Sequence, residues 1–288
     1  MSTANIEPAT ASTKLPLWEL ISRSYGSVLS EFGDVMRMSW AWLLVGVPLA
    51  GYLNWLNVSF VLEAIRSSNR EPSIPTHIFA LSMLASLIVM MAALSIAVAW
   101  HRKILLDERP ALAGLNIAQS AFWRYLGVGL KIALVAFAPM FLIVVPLLIG
   151  ATLGLPSTVK FGVLAAIFFL AYLASSAALL RLMLLMPARA IGDTGLSITE
   201  AWERTRGNCW RLFWGLLACT LPPLLPALLL QFTFIGVPSP GKTDIIEFMH
   251  RASIAQPFFL AYYLLTMPVC ISFMSYAYQH FLSQPRIR

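Results

Sequence analysis

The side chains suited to proton transfer are few: His101, Asp107, Glu108 and Asp193 fall near the ends of apolar runs, and acid–base chemistry would need them to converge. His77, His250 and His280 also sit near such ends. None of the four histidines has metal-ligand spacing, so they read as interfacial side chains, and neither a metal nor a cofactor is expected. No Gly-rich phosphate loop, G-x-S-x-G, H-E-x-x-H or D-x-x-D pair occurs. The cysteines are Cys209, Cys219 and Cys270, an odd number without a C-x-x-C; packing is the reading for Cys219 and Cys270. Arg102, Lys103, Arg124, Arg181, Arg189 and Arg211 border apolar runs and suit contact with lipid phosphates or a partner protein. Arg181 directly follows a long apolar run, one or two turns inside the boundary. It either snorkels to headgroups or is a buried cation for a lipid phosphate or an acidic side chain.

What must position these groups is lipid. Of 288 residues, 59% are hydrophobic and only 11% charged, whereas a soluble domain carries about 25% charged residues. Six apolar stretches reach the roughly 20 residues that cross a bilayer core as a helix: 40–61, 77–100, 132–153, 161–180, 213–235 and 257–281. They do not alternate polar and apolar residues as barrel strands would, and lipid cannot satisfy free backbone groups, so helices remain. The expected fold is all-α, a polytopic bundle of about six transmembrane helices. Residues 1–37 form an N-terminal segment with an amphipathic helix, 38–282 the six-span domain, and 283–288 a tail. No cleavable leader is visible, so the first span is expected to serve as an uncleaved anchor.

Orientation follows from basic residues. With an even number of spans, the termini and the second and fourth loops share one side. Fifteen of the 20 Lys and Arg fall there, which places that side and both termini in the cytoplasm. The net charge of +7 then meets anionic headgroups, and no nucleic-acid partner is required.

The chain also repeats itself. Gly114–Gln119 and Gly195–Glu200 each set Asn or Ser three residues before Gln or Glu, as a capping box does. Trp123-Arg124 and Trp210-Arg211 follow, each sixteen residues before a proline, Pro139 or Pro226. A fainter first unit sets Phe32 sixteen residues before Pro48. Each unit reads as a cytoplasmic amphipathic helix at the membrane surface or capping the cytoplasmic end of the bundle (17–32, 116–124, 197–211), a proline-bearing span and a return span. Trp is buried, Arg snorkels outward, and Gly26 and Gly207 are bends. Spans two and four carry small residues at four-residue spacing, such as Ser82 and Ser86 or Ala171 and Ser175. Such spacing permits close approach, so these two spans are expected near the centre. Asn54, Asn57, Gln231, Tyr262, Tyr263 and Thr266 lie at depth and read as glue between helices.

The stretch Arg181-Leu-Met-Leu-Leu-Met-Pro-Ala-Arg-Ala-Ile-Gly-Asp193, with Ile198-Thr-Glu-Ala-Trp-Glu-Arg-Thr-Arg-Gly-Asn-Cys-Trp-Arg-Leu-Phe213, resembles the membrane domain found with some bacterial glycerophosphodiester phosphodiesterases and its stand-alone relatives. The likeness covers about thirty residues well and the six-span plan more loosely. It implies a bacterial inner-membrane protein. The catalytic barrel of those enzymes is a separate soluble domain, so no catalytic residue carries over. Three functions compete: a non-enzymatic protein organising lipids or partner membrane proteins, a transporter or lipid-handling protein with a cavity among kinked helices, and an enzyme at the cytoplasmic interface. The first is preferred.

Overall fold

The computed structural model describes residues 14–67, 76–111, 116–141, 157–236 and 242–283. Among them there is no strand, and six helices are long and apolar enough to cross a membrane: Phe32–Glu63, Phe79–Leu106, Ser120–Ala138, Ala166–Ile191, Cys209–Ile235 and Ile246–Ser283. The chain is an all-α polytopic bundle, as the apolar runs require. Pro146, Gly150, Gly154 and nearly all of the tail lie outside the described residues.

Helix α1 (Leu17–Ser30) precedes α2 (Phe32–Ala41), which continues through a π segment (Trp42–Gly46) into α3 (Val47–Ser67) as span one. Span two is α4 (Thr76–Leu106) and span three α5 (Ser120–Phe141); span four is α6 (Ser157–Leu182), followed by the short α7 (Leu185–Ile191) and α8 (Ile198–Arg204). Span five is α9 (Cys209–Leu230), extended by a second π segment (Gln231–Ile235), and span six is α10 (Lys242–Ser283).

Prolines are absorbed without breaking the spans. The π segment in span one ends just before Pro48, and its wider turn lets the Val47 N–H reach the Trp42 carbonyl. Helix α9 contains Pro222, Pro223 and Pro226. Each proline frees the carbonyl four residues earlier, so Pro222 and Pro223 free those of Ala218 and Cys219. The Tyr25 hydroxyl of α1 donates to both, at 2.9 and 3.3 Å.

The centre of the bundle corrects the sequence reading. Span six, not spans two and four, is the hub: α10 packs against α1, α3, α4 and α9, while α6 lies to the side against α5 and α9. Of its apolar stretch 44% is buried, against 28% for span four. The inner half of span two does reach the core, where Ser95–His101 is continuously buried. The close approaches that decide this are made by other residues. A Cβ on Gly215 would lie 2.0 Å from the Phe273 ring, and one on Gly51 would lie 2.5 Å from Pro257. These glycines let spans five and one press onto span six.

Helix α1 docks on the end of the bundle. It packs on α9 and α10, burying Leu20, Ile21, Ser24 and Val28. Its break comes at Glu31, the residue between α1 and α2, and Gly26 stays within the helix. The segment 116–124 is not a separate helix either: a 3-10 turn, Asn116–Ala118, leads directly into α5 at Ser120. Segment 197–211 keeps its expected start and bend. Ser197 accepts the Glu200 N–H at 3.1 Å, and Gly207 takes the left-handed conformation, φ 76°.

Candidate functional site

The ends of spans two, four and six and the starts of spans three and five meet at one end of the bundle, together with α1, α7 and α8. This end gathers the basic residues singled out in the sequence, and most of them are turned onto the protein itself. Arg102 pairs with both Glu108 carboxylate oxygens at 2.8 and 2.7 Å and donates to the Ala190 carbonyl at 3.1 Å, tying span two to α7. Lys103 faces Glu31 at 3.2 Å, Asp34 at 3.5 Å and Asp107 at 3.0 Å. Arg189 donates to the carbonyls of Asp193 and Leu196, closing the α7–α8 loop on itself. Arg211 donates to the Leu15 carbonyl at 2.7 Å, while Asn208 Oδ1 accepts the Leu15 N–H at 2.9 Å. Of the six cations, Arg124 alone is exposed and makes no hydrogen bond or ion pair to a described residue.

Arg181 is engaged by groups of the protein itself. Its guanidinium stacks on the Trp202 ring, 3.6 Å from the centroid, and donates to the Trp202 carbonyl and, at 3.2 Å, to Thr205 Oγ1. It thus clamps α8 against span four through a cation–π contact and two hydrogen bonds. Arg204, expected to snorkel outward, turns inward to Glu200 at 2.9 Å and to the Phe281 carbonyl at 2.6 Å, capping span six. Trp202 remains partly exposed beneath Arg181.

The four proton-handling groups do not act on a common point. Glu108 belongs to Arg102 and Asp107 to Lys103, while Asp193 accepts from Tyr278 at 2.6 Å and from the Gly195 N–H at 2.8 Å. His101, read as interfacial, is buried in the core, because its ring lies beside hydroxyls that satisfy it. Ser275 donates to the Ile271 carbonyl at 2.9 Å, so its oxygen accepts from His101 Nδ1 at 2.7 Å; Nε2 is left facing the Tyr125 hydroxyl at 3.4 Å. A neighbouring buried contact joins Trp100 Nε1 to Ser272 Oγ at 2.7 Å. Such satisfied polar contacts fix the packing of spans two, three and six. Among the described residues no three His, Cys, Asp or Glu side chains are grouped to hold a metal ion.

No family model, curated protein or solved structure matches the chain.

A second feature lies toward the opposite end of the bundle, between spans five and six, and sequence reading located only one of its lining residues, Tyr262. A cavity of about 460 Å³ is enclosed by the proline-bearing half of α9, its π extension and the first half of α10. Leu230, Phe234, Ile254, Phe258 and Tyr262 supply its walls, and Arg251 stands at one edge. Phe258 is 75% exposed and Phe234 68%, so the cavity opens on the flank of the bundle. Tyr262 donates to the Pro223 carbonyl at 2.7 Å, which spends its polar group inside the protein and leaves the ring for the wall. Arg251 pairs with Glu247 one turn earlier on α10, both side chains being well exposed. The cavity walls include the stretch of α9 that carries three prolines, and on α10 Pro257 has no N–H to give to the helical hydrogen-bond ladder.

Helix α1 supports this geometry from the other end. The Tyr25 phenol that holds the Ala218 and Cys219 carbonyls has its pKa raised by burial from 10.0 to about 12. It remains a donor throughout the physiological range.

Two of the polar residues read as glue join helices: Asn57 Nδ2 donates to Ser82 Oγ at 2.6 Å, linking spans one and two, and Tyr262 joins spans five and six. Thr266 instead bonds back within its own helix to the Tyr262 carbonyl at 2.9 Å.

Proposed function

We propose that this chain is a non-enzymatic integral protein of the bacterial inner membrane that organises lipids, holding a lipid chain in the flank cavity between spans five and six. That cavity carries the reading. It has a volume within the range of small-molecule sites and an apolar lining. Its opening faces the region that lipid fills around a membrane bundle. A cavity among proline-bearing helices is the feature of the lipid-handling alternative, which this proposal adopts in preference to a scaffold for partner proteins. The acid–base candidates, each engaged by a different partner, give an enzyme no comparable support.

In this proposal the basic end faces the cytoplasm with both termini, as the distribution of Lys and Arg favours. The resemblance around Arg181–Phe213 supports the bacterial inner membrane. Arg124 is the cation best placed for headgroups, whereas Arg102, Lys103, Arg181, Arg189 and Arg211 act chiefly as clamps. The sequence repeat fits three units of lead-in segment, proline-bearing span and return span, although in the middle unit the lead-in is shortened to a turn.

Native mass spectrometry after mild detergent extraction tests the reading. Co-purified phospholipid is expected on the wild-type protein, and Ala227→Phe, which fills the cavity with a larger apolar side chain, should lower its retention. Wild-type protein that carries no lipid and takes none up on addition would overturn the proposal.

A further inference from the structure

The flank cavity fits within one leaflet in depth and matches one type of headgroup in charge. On α10, Arg251 and His280 are 29 residues apart, about 43 Å at the helical rise. That matches the roughly 40–45 Å from one headgroup region to the other. At the His280 end Arg204 caps the Phe281 carbonyl, so this end belongs to the basic side. Arg251 and Glu247 therefore stand at headgroup level on the opposite side. From Arg251 the cavity runs along α10 as far as Tyr262, eleven residues or about 16 Å. Half of the roughly 40–45 Å between headgroup regions is about 20–22 Å, so the cavity lies within one leaflet.

Arg251 lines the cavity at one edge and Glu247, one helical turn earlier on α10, pairs with it, so both signs of charge stand beside the mouth. An anionic headgroup without an amine would meet Arg251 but also face the Glu247 carboxylate. A zwitterionic phosphoethanolamine group complements both, with its phosphate toward Arg251 and its ammonium toward Glu247, and their present pairing is exchanged for two charge-assisted contacts. We infer that the cavity selects a phospholipid with a phosphoethanolamine headgroup from the leaflet opposite the basic end, with an acyl chain lying along Phe234, Ile254 and Phe258 toward Tyr262. This inference rests on the proposed lipid-holding role and adds the class and the leaflet of the lipid.

The test is a binding comparison on the detergent-solubilised full-length chain by native mass spectrometry, using dioleoyl phosphatidylethanolamine and dioleoyl phosphatidylglycerol as probes. Wild-type protein should prefer phosphatidylethanolamine by about fivefold, the upper end of what an exposed ion pair supplies. Glu247→Gln should reduce that preference to less than about twofold, and Arg251→Gln should weaken both lipids. Both positions are exposed, and unchanged elution volume and helicity confirm folding. Equal binding of the two lipids by wild-type protein, or a preference untouched by Glu247→Gln, overturns the headgroup assignment while leaving the lipid-holding role in place. Absence of binding for both probes overturns that role as well. A lipid-free dimer whose interface is broken by Phe258→Ser would show that the cavity is filled by a second copy, which also overturns the inference.

Discussion

Gly215 sets the distance between spans five and six more directly than any polar contact. The Phe273 ring occupies the space its Cβ would need, and Phe273 is fully buried, so the ring has nowhere to retreat. Gly215→Ala should lower stability by about 1–3 kcal/mol, the usual cost of overpacking, measured as a drop in melting temperature in detergent. An unchanged melting temperature would mean that the two helices are not pressed together there. Arg181 makes the complementary case, a charge whose work is mechanical. Arg181→Ala should release α8, with amides of Ile198–Arg204 exchanging faster and lipid retention little changed. The chain position of Arg181, after a long apolar run, identified it as unusual. It could not name Trp202 and Thr205 as its partners, because those contacts depend on how α8 folds back on span four.

Helix α1 and span five depend on each other through the carbonyls that proline leaves unpaired. Tyr25→Phe removes the donor that serves Ala218 and Cys219, and a polar group left unsatisfied costs about 1–3 kcal/mol. The expected result is a lower melting temperature with faster amide exchange in α1. The contribution has a defined pH dependence. Folding raises the phenol pKa from 10.0 to about 12, so the stabilisation is present in full below 10 and is lost as pH rises through the folded value. The gap in melting temperature between wild type and Tyr25→Phe should therefore stay constant from neutral pH to about 9 and begin to narrow above 10. A gap that varies between neutral pH and 9 would contradict the hydrogen bonds assigned to Tyr25. Amphipathic patterning identified α1 as a helix with an apolar face, but that face suits lipid or protein equally. Docking onto α9 and α10 decided between them.

Among the described residues, the bundle is polarised between an end of clamped cations and an end where Arg251 and Glu247 form an exposed ion pair beside the cavity. Orientation can be read directly. A cysteine at Lys14 should react with a membrane-impermeant maleimide only from the cytoplasmic side, and one at Arg251 only from the other; the reverse pattern would invert the topology. The sequence by itself determined that the chain crosses the membrane as six helices. Apolar length and the need to satisfy every backbone group in lipid are local properties, legible in each run without its neighbours. It also located the capping Ser197, the turn at Gly207 and the clustering of positive charge, which again depend on nearby residues. Only the tertiary structure decided that span six is the hub, that His101 is internal, that five of the six singled-out cations serve the protein's own carbonyls and carboxylates, and that a cavity opens beside Tyr262. Each depends on which faces meet, and in lipid nearly every face is apolar, so hydrophobicity does not separate inside from outside. Small residues at the contacts, such as Gly51 and Gly215, make that choice, and their partners Pro257 and Phe273 lie far along the chain.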